Sequence, residues 1–127
     1  MVPPMSVEAG LSASIDREVT HLDTATALGS GDVEVPATPR VLAWAAAACI
    51  AALDGLLAEG ETTVGMRMQI DHVQPTPVGK TVHVRAEVEG RRLTFTVEAS
   101  DSRGTIATGR VVRVLVERNR FLERAAE

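Results

Sequence analysis

Val41 to Leu53 is a run of thirteen residues without a charge, a glycine or a proline. Thr38-Pro39 stands just ahead of it, a residue type that caps helices followed by a proline suited to the first helical position. Together they predict one helix from Thr38 to about Ala58. At 1.5 Å per residue the uncharged run is about 20 Å long, too short to cross a bilayer and right for a helix buried in a small domain. No polar stripe interrupts it before Asp54. A helix apolar on every side must be covered on nearly every side. In 127 residues, enough for one domain with a single core, only a sheet that curls over the helix is large enough to do this, helped by a second subunit.

The flanking sequence supplies such a sheet. Leu11 to about Asp23 alternates weakly at Ile15, Val19 and Leu22 and reads as a strand. Thr24 to Ala37, with Gly29, Gly31 and Pro36, reads as a loop leading into the helix, and Glu59-Gly60 as the helix end. From Thr63 to Val73, strict alternation places Val64, Met66, Met68, Ile70 and His72 on one face and Arg67, Gln69 and Asp71 on the other. Pro75-Thr76-Pro77-Val78-Gly79 then breaks the chain. Lys80 to Glu89 and Leu93 to Ser100 alternate about a turn at Glu89-Gly90, and Asp101-Ser102-Arg103-Gly104 closes a second hairpin. Thr105 to about Arg118 is apolar on both faces around Val111 to Val116, which predicts a central strand. Strand, long helix, then four strands in antiparallel succession predicts an α+β fold in which a curled antiparallel sheet wraps one buried helix. That is the hot-dog architecture, although cystatin-like folds also set one helix against a sheet. Residues 1–10 are expected to be disordered, 11–120 to form the single domain and 121–127 a charged tail with a helical turn.

Composition removes several function classes. The formal charge of −4 leaves no basic stripe for nucleic acid, and Trp44, Phe95 and Phe121 are the only aromatic residues available for stacking on bases. Cys49 is the single cysteine, so the chain forms no internal disulfide and holds no cysteine-based metal site. No metal and no cofactor are expected. The start, MVPPMSVEAG, has neither the basic nor the apolar region of a secretory signal, and a cytoplasmic location is the expectation.

The stretches VPATPRVLAWAA, GMRMQIDHVQPTPVGKTV and VEGRRLTFTVEASD, in this order and spacing, resemble the fluoroacetyl-CoA thioesterase family over roughly Val35 to Val116. The resemblance implies a dimeric hot-dog protein that hydrolyses acyl-CoA thioesters at a site between subunits. It implies catalytic roles for Thr38, matching a threonine at the helix start, and for His72, matching a histidine that ends the next strand. Gly65 matches a glycine whose N–H faces the thioester oxygen. With Ala46 and Leu42 it makes up the implied substrate-binding set. The family's helix glutamate falls eight residues after the threonine, where this chain has Ala46. Its aromatic lid also has no counterpart, because Gly29 to Val35 holds no phenylalanine.

Each position also has a plainer reading. Thr38 is a helix cap in its own right; functionally its hydroxyl would lie beside unpaired helix amides that favour a developing oxyanion. A histidine on an apolar strand face is either a satisfied core residue or, near neutral pH, a general base for water. Gly65 equally fits a bulge. Cys49 reads as a small core residue and not as a nucleophile, Asp71 faces away from His72, and His21 and His83 read as surface residues. Two functions remain open. One is a thioesterase in which His72 activates water while Thr38, Gly65 and the helix start hold the oxyanion. The other is a domain that binds acyl-CoA or another apolar ligand without turnover. Dehydratase chemistry would need a carboxylate near the helix start, and Asp54 is too far along. A homodimer, with a tetramer as an extension, is expected. The arginines Arg118, Arg120 and Arg124 read as a solvated tail, with coenzyme A phosphates as their alternative partner.

Overall fold

The computed structural model describes residues 7–89 and 93–126. In chain order the elements are β1 (Ser12–Glu18), α1 (Ala25–Leu28), α2 (Thr38–Ala52), β2 (Glu61–His72), β3 (Thr81–Val88), β4 (Leu93–Asp101), β5 (Gly104–Glu117) and α3 (Arg118–Ala125). The strands form one antiparallel five-stranded sheet in the order β1-β3-β4-β5-β2. The second strand therefore pairs with the last and not with the third, so the expected simple succession is corrected: residues 73–80 cross from the β2 edge of the sheet to β3, which lies between β1 and β4. β5 lies inside the sheet as its two apolar faces require, while β4 takes the middle place.

Alternation decides which side faces the helix. Val82, Val84, Ala86 and Val88 of β3 and Leu93, Phe95, Val97 and Ala99 of β4 are buried, and so are Val41, Trp44, Ala45, Ala48 and Cys49 of α2. The intervening residues, such as His83, Arg85, Thr96 and Glu98, face outward and are exposed. The sheet does not cover the helix on every side. Ala43 is exposed, Ala46 and Ala47 are half-buried, and Ile50 is 53% exposed. These positions recur at helical spacing, so one apolar stripe of α2 is bare in the single chain.

Other boundaries also moved. The helix stops at Ala52, six residues before the expected end. Leu53 leaves helical geometry at φ −96°, ψ 4°, and Gly55 takes φ 77°. The turn buries Leu53 in the core. The first strand ends at Glu18, followed by a 3-10 turn at His21–Asp23. The charged end is helical from Arg118, and its cap is Glu117, whose carboxylate accepts from Asn119 and Arg120 main-chain N–H. The expectation of disorder at the start falls mostly on residues 1–6, outside the described residues. Residues 7–10 make a turn in which Gly10 N–H donates to Val88 O at 2.9 Å. The turn between β3 and β4 also lies in part outside them.

Two features of the β2–β5 pair matter for the site. The register shifts between Gly65, opposite Arg113, and Arg67, opposite Val112, so Met66 is an extra residue on β2. Such a bulge sets two residues against one and reverses the alternation. Val64 and Met66 are therefore not on the face of Met68, Ile70 and His72, and Met66 is 57% exposed. At the other end, a Cβ on Gly109 would sit 2.1 Å from the Gln69 carbonyl oxygen, so the two strands approach closely enough to require glycine.

Candidate active site

The chain enters α2 through a tied neck. Ala25 N–H donates to Val35 O and Ala37 N–H to Asp23 O, both at 2.9 Å, and Arg40 Nε lies 3.2 Å from Asp23 Oδ1. Ala37 occupies the cap position and Thr38 is the first helical residue. The cap reading of Thr38 is thereby corrected. No side chain caps this helix, and the Thr38 hydroxyl lies 3.0 Å from Nδ1 of His72. The Thr38 N–H makes no hydrogen bond among the described residues. Thr38 thus presents a main-chain donor and a hydroxyl at the positive end of the helix dipole.

His72 is the last residue of β2, opposite Ala107. Its Nε2 is buried and has no hydrogen-bond partner among the described residues. Burial lowers the imidazole pKa below its ordinary value, and the main chain of Gln74 works in the opposite direction. A neutral ring has one N–H and one lone pair. When Nδ1–H donates to Thr38 Oγ1, the lone pair sits on Nε2 and the threonine proton stays free. In the other tautomer Thr38 donates to Nδ1 and becomes the activated group. Both members of the pair belong to one chain.

The other expected residues are placed differently. Leu42 and Ala46 follow Thr38 at i+4 and i+8, a single ridge, and both are half-buried. No carboxylate occupies α2. Gly65 sits at the bulge and is exposed. Seven residues along a strand separate it from His72, about 20 Å, so one chain does not bring Gly65 to the Thr38–His72 pair. Cys49 is fully buried and its thiol is pushed up to about 12, mainly by burial, which rules it out as a thiolate nucleophile. Asp71 and His83 are exposed, with His83 Nδ1 2.5 Å from Asp16 Oδ1. His21 lies in the 3-10 turn, also exposed.

Sequence reasoning missed Arg113. It is 8% exposed. Its Nε donates to Thr63 Oγ1 at 2.9 Å and its Nη2 to Thr63 O at 2.8 Å. Nη1 lies 3.8 Å from where a Cβ on Gly65 would stand. No ion pair engages Arg113 among the described residues. A buried guanidinium without a carboxylate is costly unless an anion or dipole completes its shell. The signal was an arginine interrupting Val111 to Leu115. Thr63 also lines a surface pocket of about 230 Å³ with Ile50, Leu53 and Leu57.

A helix laid across a five-stranded antiparallel sheet in this strand order defines a hot-dog-fold protein. The family model for the fluoroacetyl-CoA-specific thioesterase matches residues 19–119, and the chain belongs to that family. It is 38% identical over 77 residues to the fluoroacetyl-CoA thioesterase of Streptantibioticus cattleyicolor, a match spanning 58% of this chain and only 55% of that relative. A solved fluoroacetyl-CoA thioesterase structure superposes with a TM-score of 0.86 at 30% identity, covering 93% of this chain and 94% of the other. A hot-dog-like protein of Thermanaerovibrio acidaminovorans gives a TM-score of 0.83 at 25% identity, covering 92% and 89%. A thioesterase superfamily member from Thermus thermophilus gives 0.82 at 27%, covering 97% and 99%.

Proposed function

We propose that the chain hydrolyses acyl-CoA thioesters of small or medium acyl groups, with His72 as general base and Thr38 supporting the oxyanion. The observation that carries this reading is the 3.0 Å approach of Thr38 Oγ1 to His72 Nδ1 at the amino end of α2. With Nδ1–H held by Thr38, His72 takes a proton from water at Nε2. The hydroxide attacks the thioester carbonyl carbon. The oxygen gathers negative charge, met by the Thr38 hydroxyl and main-chain N–H at the helix terminus. Collapse expels the thiolate of coenzyme A, which takes the proton back from His72. Preference for a fluorinated acyl group is not part of the proposal, since the lid segment 29–35 has no phenylalanine.

A homodimer belongs to the same reading. β2 is a twelve-residue edge strand, and the bare stripe of α2 offers it apolar company; long open edges invite a second strand. Antiparallel pairing of two copies along β2 would bring the Gly65–Arg113 end of one to the Thr38–His72 end of the other, making the site shared. A tetramer would extend this assembly. A monomer by light scattering would count against it. No described helix is long and apolar enough to cross a membrane; the cytoplasmic location remains part of the proposal.

The test is release of free coenzyme A thiol from short, medium and aromatic acyl-CoAs, with His72→Ala as control. Turnover lost in the variant supports the reading. Turnover that survives it places the chemistry elsewhere. The second reading, a binding domain without turnover, is favoured by Ala46 in the glutamate position. Tight acyl-CoA binding with no thiol release would establish it, whereas Ala46→Glu is expected to raise hydrolysis if the site is a thioesterase site lacking its carboxylate.

A further inference from the structure

We propose that Asp101 and Thr76 are positioning residues for His72: the β4–β5 turn locks the segment that follows β2 and so fixes the imidazole. The four residues after His72 are each tied to that hairpin. Val73 and Gln74 N–H both donate to Ile106 O, at 2.7 and 3.2 Å. Pro75 O accepts from the Arg103 guanidinium. Thr76, with 0% exposure, donates its hydroxyl to Asp101 Oδ2 at 2.9 Å. Asp101 Oδ1 accepts in turn from Arg103 N–H at 2.8 Å, and its Oδ2 lies 3.3 Å from Arg103 Nη2.

A surface connection has no need of such a lock, because water satisfies most loop backbone. Burying a carboxylate is costly unless donors surround it, and the Asp101 side chain is only 3% exposed. Two of those donors tie it to the segment, the Thr76 hydroxyl directly and the Arg103 guanidinium through Pro75 O, while the Arg103 amide closes the turn itself. The consequence falls on the ring: Thr38 holds Nδ1 from one side, and the locked segment begins at the very next residue, Val73, whose N–H donates to Ile106 O. Asp71, the nearest carboxylate in sequence, pairs with Thr108 on the opposite face of the sheet and plays no part. The kinetic side of this inference rests on the thioesterase reading; the placement of the ring does not.

The deciding experiment is an NMR titration of the three histidines, assigned with His72→Ala, in the wild type, Thr76→Val and Thr76→Ser. Loosening the segment wets the ring, so Thr76→Val should move the His72 midpoint up toward the ordinary imidazole value. Thr76→Ser should restore the wild-type midpoint. In thiol release, kcat of Thr76→Val should fall about tenfold with KM unchanged, the scale of a small misplacement of a catalytic group. A folded Thr76→Val protein whose His72 titrates as in the wild type overturns the proposal. If Thr76→Val does not fold, Arg103→Ala, which removes the exposed guanidinium holding Pro75 and Asp101, must give a smaller shift in the same direction; an unchanged midpoint there overturns it equally. If the wild type releases no thiol from any acyl-CoA, the functional reading fails while the titration still decides the positioning.

Discussion

The two ends of β2 carry different chemistry. At its carboxyl end His72 meets Thr38, and hydrogen bonds from the neighbouring hairpin pin the segment beyond. Near its amino end the strand bulges at Gly65, and a buried arginine stands behind the bulge. One end has a proton acceptor, His72, beside a helix terminus; the other has the buried guanidinium of Arg113 on Thr63, which lines a pocket together with Asp54. Thioester hydrolysis needs both a base for water and a positive environment for oxygen, and the Arg113 end would add a full charge to the dipoles of the Thr38 end. On the proposed reading, the difference teaches why two copies would pair along the sheet edge: the two ends would then meet in one shared site.

The contrast is sharpest if one residue dominates the basic end. His72→Ala is expected to lower kcat/KM for acyl-CoA hydrolysis about 10³-fold, measured by thiol release, with the thermal midpoint little changed. Arg113→Met, which keeps much of the buried volume, should cost about 10²-fold if its charge faces the substrate. Mixing and refolding these two variants should regain activity that neither has alone; failure of the mixture to do so would confine each site to one chain. Thr38→Ala should also lose on the order of 10²-fold, with Thr38→Ser retaining most activity. Because Thr38 caps nothing, the alanine variant should not show the loss of about 1 kcal/mol that follows removal of a helix cap, which a denaturant melt would reveal. The smallest effect is on pH. Burial lowers the His72 pKa, and catalysis needs the neutral ring. Turnover should therefore hold as pH falls past 6.5 and drop only below it, whereas an acid limb above that value would show a ring that is wet or paired with a carboxylate.

Much of this was legible before any coordinates. Pro39 marks the helix start because its fixed φ and missing N–H suit only the first turn, and the valines of β3 expose their alternation directly. The helix end was less legible because Leu53, Leu56 and Leu57 continue an apolar pattern that only packing interrupts. The face of Val64 and Met66 was misread because counting by twos has no place for an extra residue. Thr38 and His72 were singled out separately, yet the bond between them joins positions 34 apart in the chain, a contact that local pattern does not record. Arg113 escaped because a single cation inside a valine run reads as solvent-facing until a partner strand turns it inward.

Gly109 has a bearing on how the molecule finds this arrangement. An edge strand is free to slide by one residue during folding, and each such slip turns every side chain to the opposite face. With β2 and β5 this close, a residue bearing a Cβ could not occupy the place opposite Ile70. Gly109 therefore acts as a registration mark: the alignment that seats it there is also the one that sets His72 against Ala107, looking inward at Thr38. The position of a proton acceptor is thus tied, through the register of two strands, to a residue that has no side chain.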